Sequence, residues 1–63
     1  MDTQFEELMT VEEIAEFLKV PVSWVYDRAR RPGIERIPHI KLGKYLRFSV
    51  SEVKSWLQDQ REI

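Results

Sequence analysis

Apolar residues fall at Val11, Ile14, Ala15 and Leu18, the i, i+3, i+4, i+7 spacing of a helix with one buried stripe. Thr10-Val-Glu-Glu13 ahead of that stripe reads as a capping box, in which Thr10 accepts from the amide of Glu13 and Glu13 reaches back to Thr10. Lys19, Val20 and Pro21 end the helix, because proline lacks an amide proton and restrains the residue before it. The spacing restarts at Val22, Val25, Tyr26 and Ala29, which predicts a second helix from about Pro21 to Arg30. Proline is tolerated in a first helical turn, and Pro32-Gly33 supplies the stop. Helices joined by so short a connection must turn sharply, the helix-turn-helix arrangement.

From Ile37 to Phe48 the period becomes two. Ile40 and Leu42 alternate with His39 and Lys41, and Leu46 and Phe48 with Tyr45 and Arg47, around Gly43. A two-residue loop at Gly43-Lys44 would pair Ile40 with Arg47 and mix the faces. A three-residue loop, Gly43-Lys44-Tyr45, pairs Leu42 with Leu46 and Ile40 with Phe48, so all four apolar residues share a face and Lys41 and Arg47 the other. The second register is the one expected from patterning. Ser49-Val-Ser-Glu52 then reads as a further capping box, opening a third helix with Val50, Val53, Trp56 and Leu57 inward.

Composition limits what these elements can form. With 63 residues the chain makes one small domain near the lower size limit for independent folding. Its 43% hydrophobic content and seven aromatics can supply a core, worth about 3–5 kcal/mol of net stability. Cysteine is absent, which excludes disulfides and thiolate metal sites. No run approaches the ~20 apolar residues of a membrane span, and the N-terminus is acidic rather than a basic signal region. A soluble cytoplasmic protein is expected. Residues 1–9 read as an N-terminal lead-in whose Phe5, Leu8 and Met9 pack back on the domain, and residues 10–63 as the domain itself. The chain opens with Met, as a complete small protein would.

Charge changes the picture most. Seven of the ten basic residues (Arg28, Arg30, Arg31, Arg36, Lys41, Lys44, Arg47) lie in one stretch whose only acid is Glu35, giving +6. The first eighteen residues hold six acids and no base, giving −6. A net charge of −1 therefore hides a strong dipole whose basic part attracts polyanions, nucleic acid foremost.

With Val22, Val25 and Ala29 inward, the second helix turns Ser23, Trp24, Asp27, Arg30 and Arg31 outward and leaves Tyr26 on the flank. Such a face suits the major groove, where arginine bonds bidentately to guanine and serine meets a phosphate or base edge. Asp27 has two readings: accepting from cytosine N4, or holding Arg30 or Arg31 in a fixed pose. Repulsion by phosphates favours the orienting role. Trp24 competes as an aromatic bracing the hairpin or third helix, and Tyr26 as a core residue whose hydroxyl reaches a phosphate. Lys41, Lys44 and Arg47, expected on the hairpin's outward face or tip, read as a basic wing beside the helix-turn-helix. The plainer reading of these cations is protection of an edge strand. Together with Arg28, these are the candidate DNA-binding residues. His39 is a lone histidine without a second ligand, so no metal is expected. No Ser–His–Asp set, carboxylate pair or Gly-rich phosphate loop appears, so no catalysis, cofactor or small-molecule ligand is expected either.

The run from Leu8-Met-Thr-Val-Glu-Glu-Ile-Ala-Glu-Phe-Leu18 through Val22-Ser-Trp-Val-Tyr26 resembles the opening of small excisionase-type, MerR-like helix-turn-helix domains. Ile40-Lys-Leu-Gly-Lys-Tyr-Leu-Arg-Phe48 is similar to their wing and Val53-Lys-Ser-Trp-Leu57 to their closing helix, so the resemblance spans residues 8–57. It implies a mainly α winged helix-turn-helix with a small β-hairpin, binding double-stranded DNA through the second helix and the wing. It further implies a recombination directionality factor or a small transcriptional regulator, with a recombinase or further copies of itself as partners. Pro21 departs from the family's usual serine or other N-cap. Trp24 stands where a small polar or basic residue is common, Asp27 where a basic one is, and Arg36-Ile-Pro38 follows a longer loop. The rival expectation is a protein-interaction module docking a partner through the acidic first helix and Trp24.

Overall fold

The computed structural model describes residues 7–61. Phe5 lies outside them. The elements in order are β1 (Leu8–Met9), α1 (Val11–Leu18), α2 (Val22–Ala29), a 3-10 turn (Gly33–Glu35), β2 (Ile40–Leu42), β3 (Tyr45–Ser49) and α3 (Val50–Gln60).

Helix α1 begins where its cap dictates. The amide of Glu13 donates to Thr10 Oγ1 at 3.1 Å and the amide of Thr10 to Glu13 Oε1 at 2.9 Å, closing the expected box. The helix ends by a different device from the proline stop. Lys19 adopts the left-handed conformation (φ 62°), which lets its amide donate to Glu16 O and that of Val20 to Ala15 O. This is a Schellman closure with lysine where glycine is usual. Pro21 then stands at the α2 N-cap in an extended conformation, with no side-chain bond to the first turn.

Val11, Ile14 and Ala15 of α1, Val25 and Ala29 of α2, Phe48 of β3, and Val53 and Trp56 of α3 form one core. Ile37, in the connection before β2, is fully buried with them, and its amide donates to Arg28 O at 3.3 Å. Pro38 follows it, so pairing starts only at Ile40 rather than at Ile37. Val22 and Leu57 pack on the core from half-buried positions. Ser49 caps α3, its Oγ accepting from the amide of Glu52 at 3.5 Å.

The sheet has the order β1-β3-β2, all antiparallel. Strand β1, the end of the lead-in, was not expected as a strand. It pairs Met9 with Phe48 and Leu8 with Ser49, and so covers the far edge of β3.

The hairpin register is the alternative that patterning disfavoured. Leu42 pairs with Tyr45, Lys41 with Leu46 and Ile40 with Arg47, leaving a two-residue loop, Gly43-Lys44. Turn chemistry decides this. A three-residue loop needs its third residue left-handed, which an aromatic such as Tyr45 resists, whereas a II′ turn needs positive φ at its first residue. Gly43 supplies that at φ 61°. Two expectations fall as a result. The four apolar residues do not share a face: Phe48 is buried and Leu46 half-buried, while Ile40, Leu42 and Tyr45 are exposed. Lys41 and Arg47 are also not together, because directly paired residues point the same way and Lys41 sides with Leu46.

Three helices with a small sheet, a sharp α1–α2 connection and a β2–β3 wing make a mainly α winged helix-turn-helix.

Candidate nucleic-acid interface

Helix α2 and the wing meet around Tyr26. With Val25 and Ala29 inward, helical geometry puts Tyr26 and Arg30 on the flank facing the wing, and Trp24 and Arg28 on the opposite flank. Tyr26, 44% exposed, lines two recesses at once. One, about 390 Å³, is also lined by Arg30, Arg36, His39 and Lys41. The other brings in Lys44, Tyr45 and Arg47 of the wing with Thr10 and Glu12 at the start of α1. Tyr26 thus lies between two recesses, one lined by Arg30, Arg36 and Lys41 and the other by Lys44 and Arg47. Arg36 joins them although patterning did not single it out. Its signal was position alone, within the basic stretch and after the turn that ends α2.

The wing cations are supported by an aromatic. Lys44 Nζ and Arg47 Cζ each lie 5.6 Å from the centre of the Tyr45 ring, and Arg47 Nη1 donates to Leu46 O at 2.8 Å. An exposed aromatic holding two cations reduces the freedom each loses on meeting an anion. Tyr45 was not among the expected site residues.

Three expected site residues are engaged elsewhere. Trp24 packs edge-on against Trp56 of α3 at 6.3 Å between ring centres, the bracing role that was its rival reading. Arg28 stacks over Trp24 at 4.9 Å, and its buried Nε has no hydrogen-bond partner among the described residues. Arg31 is clamped between carboxylates, Nη2 at 2.8 Å from Asp27 Oδ2 and Nη1 at 2.9 Å from Glu35 Oε1. The Glu35 hydrogen bond, and after it the charge of Asp27, push the Arg31 pKa above its ordinary value. Asp27 thus takes the orienting position towards Arg31. Ser23 is exposed in the first turn of α2.

The turn after α2 is itself fixed. Trp56 Nε1 and Gln60 Nε2 both donate to Ile34 O at 2.8 Å, tying α3 to the segment that presents Glu35. His39 Nδ1 is 2.9 Å from Ile37 O and its ring lies against Phe48, so it belongs to the wall of the recess. No group of three or more His, Cys, Asp or Glu among the described residues could hold a metal ion. No helix among them is long and apolar enough to cross a membrane.

A separate groove of about 490 Å³ is lined by Leu8, Met9, Phe17 and Val50 with Glu7, Glu13 and Glu16. Trp24 is not among the residues lining it.

A winged helix-turn-helix with cations after α2 and on the hairpin points to DNA as the partner. The family comparison agrees: residues 8–61 match the profile described as "Helix-turn-helix domain", and the chain belongs to that family. The match fits the resemblance to small excisionase-type domains. No curated protein and no solved structure matches the chain.

Proposed function

We propose that this protein binds double-stranded DNA sequence-specifically, with α2 in the major groove and the β2–β3 wing against the flanking backbone or minor groove. The observation that supports this reading is a pair of recesses that share Tyr26, one lined by Arg30, Arg36 and Lys41 and the other by Lys44 and Arg47. An α-helix fits the major groove and cations beside it meet phosphates. Ser23, Tyr26, Asp27 and Arg30 face the groove from α2. Lys41, Lys44 and Arg47 meet the backbone, joined by Arg36. Trp24, Arg28 and Arg31 support the helix and its neighbours from the other flank. The biological role is that of an excisionase-like recombination directionality factor or a small transcriptional regulator, without chemistry of its own. So small a module gains useful affinity from adjacent copies on repeated sites or from a recombinase partner.

Fluorescence anisotropy with a short labelled duplex tests the reading through two charge-matched double variants. Arg30→Ala/Lys41→Ala should weaken binding about tenfold or more at low salt. Lys54→Ala/Arg61→Ala removes the same charge from α3 and its end and should change it less than about twofold. Equal effects, or no duplex binding by the unmodified protein, would end the reading.

A further inference from the structure

Asp27 is the only acid on α2 and lies at the middle of the face turned away from the core. Its side chain is 45% exposed, yet it is not free to wander. Oδ2 is held by Arg31 Nη2, and Arg31 is held in turn by Glu35. Glu35 sits on the 3-10 turn that Trp56 and Gln60 secure through Ile34 O. A chain of contacts from α3 thus reaches the carboxylate through Oδ2. The same clamp occupies both terminal nitrogens of Arg31, so that arginine cannot offer its fork to guanine without breaking two ion pairs.

A fixed carboxylate oxygen facing a major groove can only accept. Cytosine N4 and adenine N6 are donors there, whereas guanine O6 and N7 and thymine O4 are acceptors that repel it. Adenine also places its N7 acceptor beside N6, against the carboxylate's charge; cytosine has no acceptor at that edge. Neutralisation by Arg31 lowers the phosphate repulsion that makes acids rare on such a face.

We propose that Asp27 is a base-reading residue selecting cytosine at one position of the DNA site, with Arg31 and Glu35 as its positioning residues. This rests on the major-groove reading of α2 given above. The clamp withholds Arg31 from guanine and orients Asp27 through Oδ2.

Selection from a pool of random duplexes, followed by affinity measurement on the enriched site, tests the assignment. The unmodified protein should enrich cytosine at one position and lose about tenfold in affinity when guanine replaces it. Asp27→Ala should leave the other positions intact and make that one indifferent. Asp27→Asn should move its preference to adenine, since an amide both accepts from N6 and donates to N7. Glu35→Gln should lower the cytosine-to-guanine ratio while leaving binding to the site's other positions in place. An unchanged consensus in Asp27→Ala would overturn the proposal, as would the loss of a guanine rather than a cytosine. Failure of the folded, unmodified protein to enrich any sequence would instead remove the DNA-binding reading beneath it. Both substituted side chains are exposed, so helix content by circular dichroism should not change.

Discussion

The split of the basic stretch can be read out residue by residue through salt dependence. Each phosphate neutralised by a protein cation contributes about −0.9 to the slope of log K against log salt. If Arg36, Lys41, Lys44 and Arg47 each meet one phosphate and Arg30, at the groove's edge, meets a fifth, the slope is about −4.5. Lys41→Ala/Lys44→Ala should bring it to about −2.7. Arg28→Ala and Arg31→Ala should leave it near its original value, although both remove a charge from the same stretch of sequence. Arg28 is stacked over Trp24, and Arg31 is already neutralised by Asp27 and Glu35. Anisotropy titrations between about 50 and 200 mM salt give each slope, and are independent of which sequence is bound provided one duplex is used throughout. The distribution of charge over sequence makes the opposite forecast: all seven cations would count alike. A slope lowered as much by Arg31→Ala as by Arg30→Ala, or untouched by loss of Lys41 and Lys44, would refute the geometric argument.

Three stability predictions follow from the backbone and core. Lys19→Gly relieves a left-handed lysine costing about 1–2 kcal/mol, offset by about 0.5–1 kcal/mol of glycine chain entropy. It should therefore stabilise by about 0.5–1 kcal/mol, raising the thermal midpoint by several degrees; a lower midpoint would contradict the assigned closure. Gly43→Ala meets no neighbouring atom but forces a side chain onto φ 61°, so about 1–2 kcal/mol should be lost in denaturant melts from strain alone. Its failure to destabilise would argue against the two-residue loop. Phe48→Ala empties the centre of the core at a cost of about 3–5 kcal/mol, comparable to the whole stability of a domain this size. It should be largely unfolded at room temperature by circular dichroism.

What the sequence made legible was local. Thr10 and Glu13 cap α1 whatever surrounds them, and the stripes of Val11–Leu18 and Val53–Leu57 face inward because helical period leaves no other choice. The hairpin was legible as a hairpin but not in register. Patterning weighed four apolar residues equally, while the chain obeyed the backbone angle that Gly43 accepts and Tyr45 resists. Strand β1 carried no signal, since two residues become a strand only when the edge of β3 stands beside them. Ile37 looked like the start of a strand and serves as a core plug. The exposure of Tyr26, Arg30, Lys41 and Lys44 could be read from position. Which cations were already engaged could not, because an ion pair such as Arg31–Glu35 depends on how a turn is folded.

The folded arrangement also alters the meaning of the overall charge. A net charge of −1 and an isoelectric point near 5.8 describe a weak anion, which DNA should repel. The linings of the two recesses that share Tyr26, however, hold five cations against one acid, Glu12, while Arg31 is paired with Asp27 and Glu35 outside them. Glu13 and Glu16 of α1, with Glu7, gather instead around the Leu8–Phe17 groove, which shares no residue with those recesses. Within a Debye length of about 10 Å at 0.1 M salt, an approaching duplex responds to the local surface rather than to the total. If DNA meets α2 and the hairpin as proposed, the acidic groove disfavours approach from its own side. Weak total charge with strong separation thereby favours oriented encounter over indiscriminate sticking to DNA, which a uniformly basic chain of this size would not achieve.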